Sequence, residues 1–202
     1  MGIDGSTSTI GLSIVEESDD GKPIFKHVEH YKPLKDIHIL DILKHTKEYI
    51  TSKLKEFSPD EVIIEEYIKF MLGKSSSDST ISLAVINRTI CMTIYEYLNK
   101  KPYIVNVNTI RAIIKPKNYH LPRVPKENVL PVICEHLGIE WEWLTSKKGK
   151  VLEENFDRSD ACAAALSLIL GLKNGRIKLE EVYPNKKSKK KKSKKSKKIE
   201  IE

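Results

Sequence analysis

The sequence predicts an α/β protein, one mixed sheet with helices packed against it, and three observations lead there. Residues 10–14 place Ile10, Leu12 and Ile14 in alternation, the pattern of a strand with one buried face. The most apolar run, Val62-Ile63-Ile64, comes directly after a helical pattern, and a helix between two strands implies parallel pairing. Near the end of the pattern, Ala161, Ala163, Ala164 and Ala165 give a helix whose small side chains allow close approach to a sheet. At 202 residues, 40% of them apolar, the chain can bury a real core as one domain without staples.

The elements follow in order. The opening stretch places Asp4 after a short apolar start, at a bend in the first strand formed by Gly5-Ser6-Thr7-Ser8-Thr9, before the alternation resumes at Ile10. Asp19-Asp20-Gly21 is a hairpin signal, and residues 23–31 read as an antiparallel strand. From residue 36 the apolar positions Ile39, Leu43, Ile50, Leu54 and Phe57 keep helical spacing until Ser58-Pro59-Asp60 stops it. Residues 61–67 are then a short buried strand ending in Glu65 and Glu66, and Glu65 should stand beside Asp4. Residues 68–80, with Lys69, Phe70, Met71, Gly73, Lys74 and a serine cluster, read as an exposed, ligand-facing loop. Asp78 or Ser79 is expected to cap the next helix, which runs to about residue 98. That helix carries two apolar rows, Ile81, Val85, Met92 and Tyr95 on one side and Leu83, Ile86, Ile90, Ile94 and Tyr97 on the other; one can cover the sheet and the other a partner subunit. Residues 102–108 read as a strand, 110–114 as a short helical piece, 115–125 as a proline-rich basic loop, and 126–137 as a helix. Trp141 and Trp143 fall in a loop that ends near Gly149-Lys150, and the closing helix covers residues 154–172.

Charge divides the chain. The net charge is +7, but residues 186–198 hold ten lysines and three serines; set those lysines aside and the remainder carries −3. A lysine run buries no apolar area, so residues 176–202 are expected to be a disordered basic tail behind a folded domain of residues 1–175. Such a tail has salt-sensitive, sequence-blind affinity for phosphate backbones, and a solubilising or nuclear-import role is compatible with it. The three cysteines make no CxxC pair and no secretory signal opens the chain, which fits an intracellular, reducing setting; nucleus, mitochondrion and virus-infected cytoplasm are not separated by sequence. No apolar run reaches the roughly 18 residues of a membrane span.

The chemistry lies in acids brought together by separate elements. Asp4 is on the first strand, Glu65 (with Glu66 as the alternative) on the strand beside it, and Asp157 and Asp160 are three apart on the closing helix, hence on one face. Taken singly, an aspartate near a turn or at a helix N-terminus is ordinary. Placed together, four carboxylates suit Mg²⁺, a hard cation that takes oxygen ligands. Two such ions about 4 Å apart can drive phosphodiester hydrolysis. The six histidines show no zinc-ligand spacing such as HExxH.

The order Gly2-Ile3-Asp4-x-Ser6, Ile64-Glu65, Phe70-Met71 before a long helix, and Asp157-x-x-Asp160-Ala161 resembles the RuvC-type Holliday junction resolvases over roughly residues 2–172. Gly5 stands where that family has a proline-glycine step, and the spacing from the acidic strand to Phe70 is slightly longer. The resemblance implies an RNase H-like nuclease, a mixed β-sheet flanked by α-helices, that works as a Mg²⁺-dependent homodimer and cuts opposed strands of a four-way DNA junction, with Mn²⁺ as a substitute ion. It makes Asp4, Glu65, Asp157 and Asp160 the catalytic metal ligands. It also makes Phe70 an aromatic that stacks at the junction, with Lys69 and Lys74 beside it as DNA contacts, and places Arg111, Lys126 and Lys115 near the scissile phosphate. Flaps, forks and RNA–DNA hybrids are alternative substrates, and a non-catalytic branched-DNA binder is the alternative of another class. Asp-Gly-Ser-Thr at residues 4–7 also resembles the phosphate turn of actin-like kinases, but a second nucleotide-binding domain is missing, so no nucleotide cofactor is expected.

Overall fold

The computed structural model describes residues 1–34, 37–67 and 77–177. Phe70, Lys69, Lys74 and the lysine tail lie outside these residues. Five strands form one sheet in the order β3-β2-β1-β4-β5, with β1 at Gly2–Gly5, β2 at Ile10–Glu17, β3 at Pro23–Tyr31, β4 at Ile63–Glu65 and β5 at Tyr103–Val105. β1–β2 and β2–β3 pair antiparallel, β1–β4 and β4–β5 parallel, so the sheet is mixed as expected.

Strand alternation gives the sheet two apolar faces, each covered by helices. Ile3, Leu12, Ile14 and Ile64 pack with α1 (Ile39–Phe57) and α2 (Ser77–Leu98), through Ile50, Leu54, Ile86, Ile90 and Ile94. Val15, Ile63 and Val105 pack on the opposite face with α3 (Val107–Ile113), α4 (Val129–Leu137) and α5 (Glu154–Lys173). The sheet therefore lies between two layers of helix, the usual way for a partly parallel sheet to bury both sides.

Several local expectations change. The opening stretch is two strands rather than one bent strand: the Ser6 amide donates to the Thr9 carbonyl at 2.9 Å and Ser6 Oγ donates to the same oxygen at 2.8 Å, closing a turn that sends the chain back antiparallel. The strand expected over 102–108 stops at Val105, because the Asn106 side chain accepts from the Asn108 amide at 2.8 Å and caps α3. α2 begins at Ser77, so Asp78 and Ser79 lie inside its first turn instead of capping it. A single 3₁₀ turn, Lys126–Asn128, precedes α4 where one continuous helix was expected. At the other end the packed chain reaches Ile177, which is buried against Gly171, two residues into the segment assigned to the tail.

Candidate active site

Alternation fixes two of the acids. Ile3 and Ile64 are register partners and both face α1 and α2, so the next residues, Asp4 and Glu65, turn to the α5 face from adjacent parallel strands. The Glu65 backbone is held from the other side, where Nδ2 of the fully buried Asn87 on α2 donates to its carbonyl at 3.0 Å. α5 brings the remaining two. Its packing depends on glycine at two strand positions: a Cβ on Gly2 would stand 2.2 Å from the Ala161 carbonyl oxygen, and one on Gly11 would stand 2.2 Å from that of Asp157. Gly11 is also the register partner of Asp4 on β2, which puts the backbone of Asp157 over the strand pair that carries Asp4. Thr9, buried at the turn, hydrogen-bonds the Asp157 carboxylate.

Electrostatics shows the four carboxylates sharing one region. The Asp4 pKa is raised well above the ordinary aspartate range, first by burial and then by the charges of Glu65, Asp160 and Asp157. Glu65 is pushed up to about 7, by burial and then by Asp160. Asp160 is raised by burial, with Asp157 adding to it, and Asp157 is raised by burial too. Asp157 lies in the first turn of α5, where the helix dipole favours a negative charge by about 0.3–1 kcal/mol, yet its shift is upward. Desolvation therefore outweighs the dipole, and a simple helix-terminus role does not account for this residue. Among the charges acting on Asp4, that of Glu65 raises it most.

Two cations oppose the acids. Lys126 lowers all four, and Arg111, from the last turn of α3, lowers Glu65 and Asp160. Arg111 Nη2 stands 4.0 Å from Asp160 Oδ1, and its Nε is buried without a hydrogen-bond partner. Lys115, half-buried just past α3, is not among the main charges on any of the four. Thr9 and Asn87 were not singled out in the sequence; Thr9 carried a faint signal as the end of the turn after Asp4, and Asn87 carried none.

The donor set, carboxylates alone, fits a hard divalent cation. Among the described residues, no three His, Cys, Asp or Glu side chains already stand in an arrangement that would hold one. What the cluster has is repulsion that Arg111 and Lys126 offset only in part, since all four acids stay raised, and a bound cation would remove it while drawing the carboxylates inward.

No protein-family model matches the chain, and no curated protein sequence matches it significantly. Solved structures do. The mixed sheet between helices is the RNase H-like fold in its RuvC-type form. The chain is similar to Thermus thermophilus RuvC, solved alone (18% identity, TM-score 0.67) and in complex with a Holliday junction substrate (17%, 0.66), in each case over 88% of this chain and 96% of that one. It is similar also to the yeast mitochondrial Holliday junction resolvase Ydc2, at 12% identity and TM-score 0.63, over 87% of this chain and 80% of that one.

Proposed function

We propose that the chain is a metal-dependent endonuclease that resolves four-way DNA junctions. The observation that carries this reading is the convergence of Asp4, Glu65, Asp157 and Asp160, with Arg111 and Lys126 beside them, in a fold shared with structures described as Holliday junction resolvases.

Asp4, Glu65, Asp157 and Asp160 would hold Mg²⁺, or Mn²⁺ in its place, as one or two ions. Bound there, the metal supplies an activated water and neutralises charge on the leaving oxygen of the phosphodiester. The chain's own residues do the positioning. The unpartnered Nε of Arg111 and the Lys126 ammonium offer donors to the scissile phosphate, at the edge of a site too acidic to attract DNA unaided. Thr9 orients the Asp157 carboxylate, and Asn87 fixes the strand end that carries Glu65.

Symmetric cutting of a two-fold junction needs two such sites, and α2 supplies the surface for a homodimer. Its inner row, Ile86, Ile90 and Ile94, is buried, while Ile81 is 60% exposed and Met92 54%, with Val85 and Tyr95 on the same side. The cysteines are free, which fits a reducing intracellular setting, and among the described residues no helix is long and apolar enough to cross a membrane.

Strand cleavage of a synthetic four-way junction and a matched linear duplex in Mg²⁺ tests the reading, with Asp4→Asn as control. Paired nicks on the junction alone, lost in the variant, are expected. Equal cutting of both DNAs would remove junction selectivity and leave a nuclease for flaps, forks or hybrids. No cutting in Mg²⁺ or Mn²⁺ would leave a DNA-binding protein.

A further inference from the structure

Between α4 and α5 the chain forms a small hairpin that the chemistry above does not use. Thr145 and Val151 form an antiparallel bridge, the Leu152 amide donates to the Leu144 carbonyl at 3.0 Å, and the Ser146 amide donates to the Lys150 carbonyl at 2.8 Å. Gly149, at φ 75°, supplies the left-handed residue that the tight end requires. The tip is therefore set in one conformation, and it presents Lys147, Lys148 and Lys150, all exposed. None of the three pairs with a carboxylate among the described residues.

The hairpin is anchored from the catalytic helix. Asn155, fully buried, donates through Nδ2 to the carbonyls of Leu144 at 2.8 Å and Leu152 at 2.9 Å, and its Oδ1 accepts from the Leu144 amide at 2.9 Å. Arg158, also buried, donates to the Glu142 carbonyl at 3.0 Å and lies over the Trp141 ring. Asn155 and Arg158 each sit two positions from an acid of the site, roughly 200° round the helix. One side of α5 thus presents Asp157 and Asp160 while the other clamps the hairpin.

Between hairpin and turn lies a cleft of about 900 Å³, bordered by Ser8, Lys126, Lys150 and Phe156 and reaching Asp157. Its lining carries both signs, Glu153 and Glu154 against Lys126 and Lys150, and Glu154 already pairs with Lys32. Lys150 brings the positive charge of the hairpin tip to its edge. Two exposed aromatics flank it, Trp143 (48% exposed) at the root and Phe156 (44%) on the cleft wall. Fixed cations beside exposed aromatic rings are what a passing nucleic-acid strand uses: phosphates on the lysines, a base or sugar on the ring.

We infer that the hairpin is a second DNA-contact element, with Lys147, Lys148 and Lys150 holding backbone phosphates of the strand that runs past Asp157 and Phe156 packing against its bases. The inference rests on the nuclease reading and adds a substrate contact to it. Rigid anchoring to α5 sets the distance between those phosphates and the cleaved one.

The test is equilibrium binding of the full chain to a labelled four-way junction across a salt series, in Ca²⁺ instead of Mg²⁺, for the wild type and for K147A/K148A/K150A. Lysines of the tail are the same in both proteins and cancel in the comparison. The variant is expected to bind about tenfold or more weakly near physiological salt, with a salt slope shallower by about 2–3, one for each lost phosphate contact. Replacement of the same three lysines by arginine should restore both affinity and salt slope. If the alanine variant matches wild type in affinity and slope, the hairpin contact is overturned while the nuclease reading stands. Unchanged affinity with slow cleavage at saturating DNA would overturn it too, assigning the hairpin to support of the site. A wild type that binds neither junction nor duplex overturns both readings.

Discussion

At the scale of single residues, the cluster is tuned against stability. Glu65 ionises at about 7 in the folded chain against 4.5 ordinarily, so between those values the folded state holds a proton that the unfolded state has released. Stability conferred by that proton is present at low pH and is lost as pH rises through about 7. Thermal melts without divalent cations should show the loss, on the order of 1–3 kcal/mol between pH 5 and 8. Glu65→Gln should flatten the trend and melt higher than wild type at pH 8, while cleavage falls roughly 10³-fold or more, several kcal/mol of lost metal assistance. A melt for Glu65→Gln that follows wild type across this pH range would remove the repulsion argument. Mg²⁺ affinity should in turn strengthen as pH rises through about 7, because the same protons compete with the ion; isothermal titration at pH 6 and 8 checks this. The acids were legible in the sequence because each belongs to a spacing or a strand end. Thr9, Asn87 and Asn155 were not, since each acts through hydrogen bonds to a chain segment that only the fold brings near.

At the scale of elements, the site depends on how closely α5 lies on the sheet. Gly11→Ala puts a methyl into the Asp157 carbonyl, so the helix must lift from β2. Overpacking of this kind costs about 1–3 kcal/mol. Chemical denaturation should register that loss, with a drop in cleavage larger than the stability change alone explains, because Asp157 moves away from Asp4. Asn155→Ala removes three hydrogen bonds at the hairpin root and is expected to cost about 2 kcal/mol or more, and to open the 144–152 segment to limited proteolysis while the sheet stays protected. Most elements could be read from periodicity, and the parallel pairing of β1 with β4 from the helix between them. Turns were harder: Ser6 and Asn106 change the chain's course with side-chain hydrogen bonds that compete with strand pairing, and a local pattern gives either outcome. The hairpin at 144–152 escaped because its strands are a single bridge long, too short to alternate.

At the scale of the whole molecule, one unit supplies one set of acids, and the proposed homodimer would use the outward row of α2. Met92→Glu on that row should give a monomer by sedimentation that still nicks a junction but no longer cuts opposed strands together. Paired cuts from a proven monomer would exclude this face as the interface. A wider consequence follows from the two sides of α5. Because the hairpin's tip is exposed among the described residues while its root is fixed by Asn155 and Arg158, insertions, deletions or charge changes at residues 147–150 are expected to leave the register of Asp157 and Asp160 untouched. If the proposed nuclease and hairpin contacts hold, mutation there would alter which branched DNA is gripped at little cost to bond cleavage, and lineages sharing this helix would be free to diverge in substrate while inheriting the same chemistry.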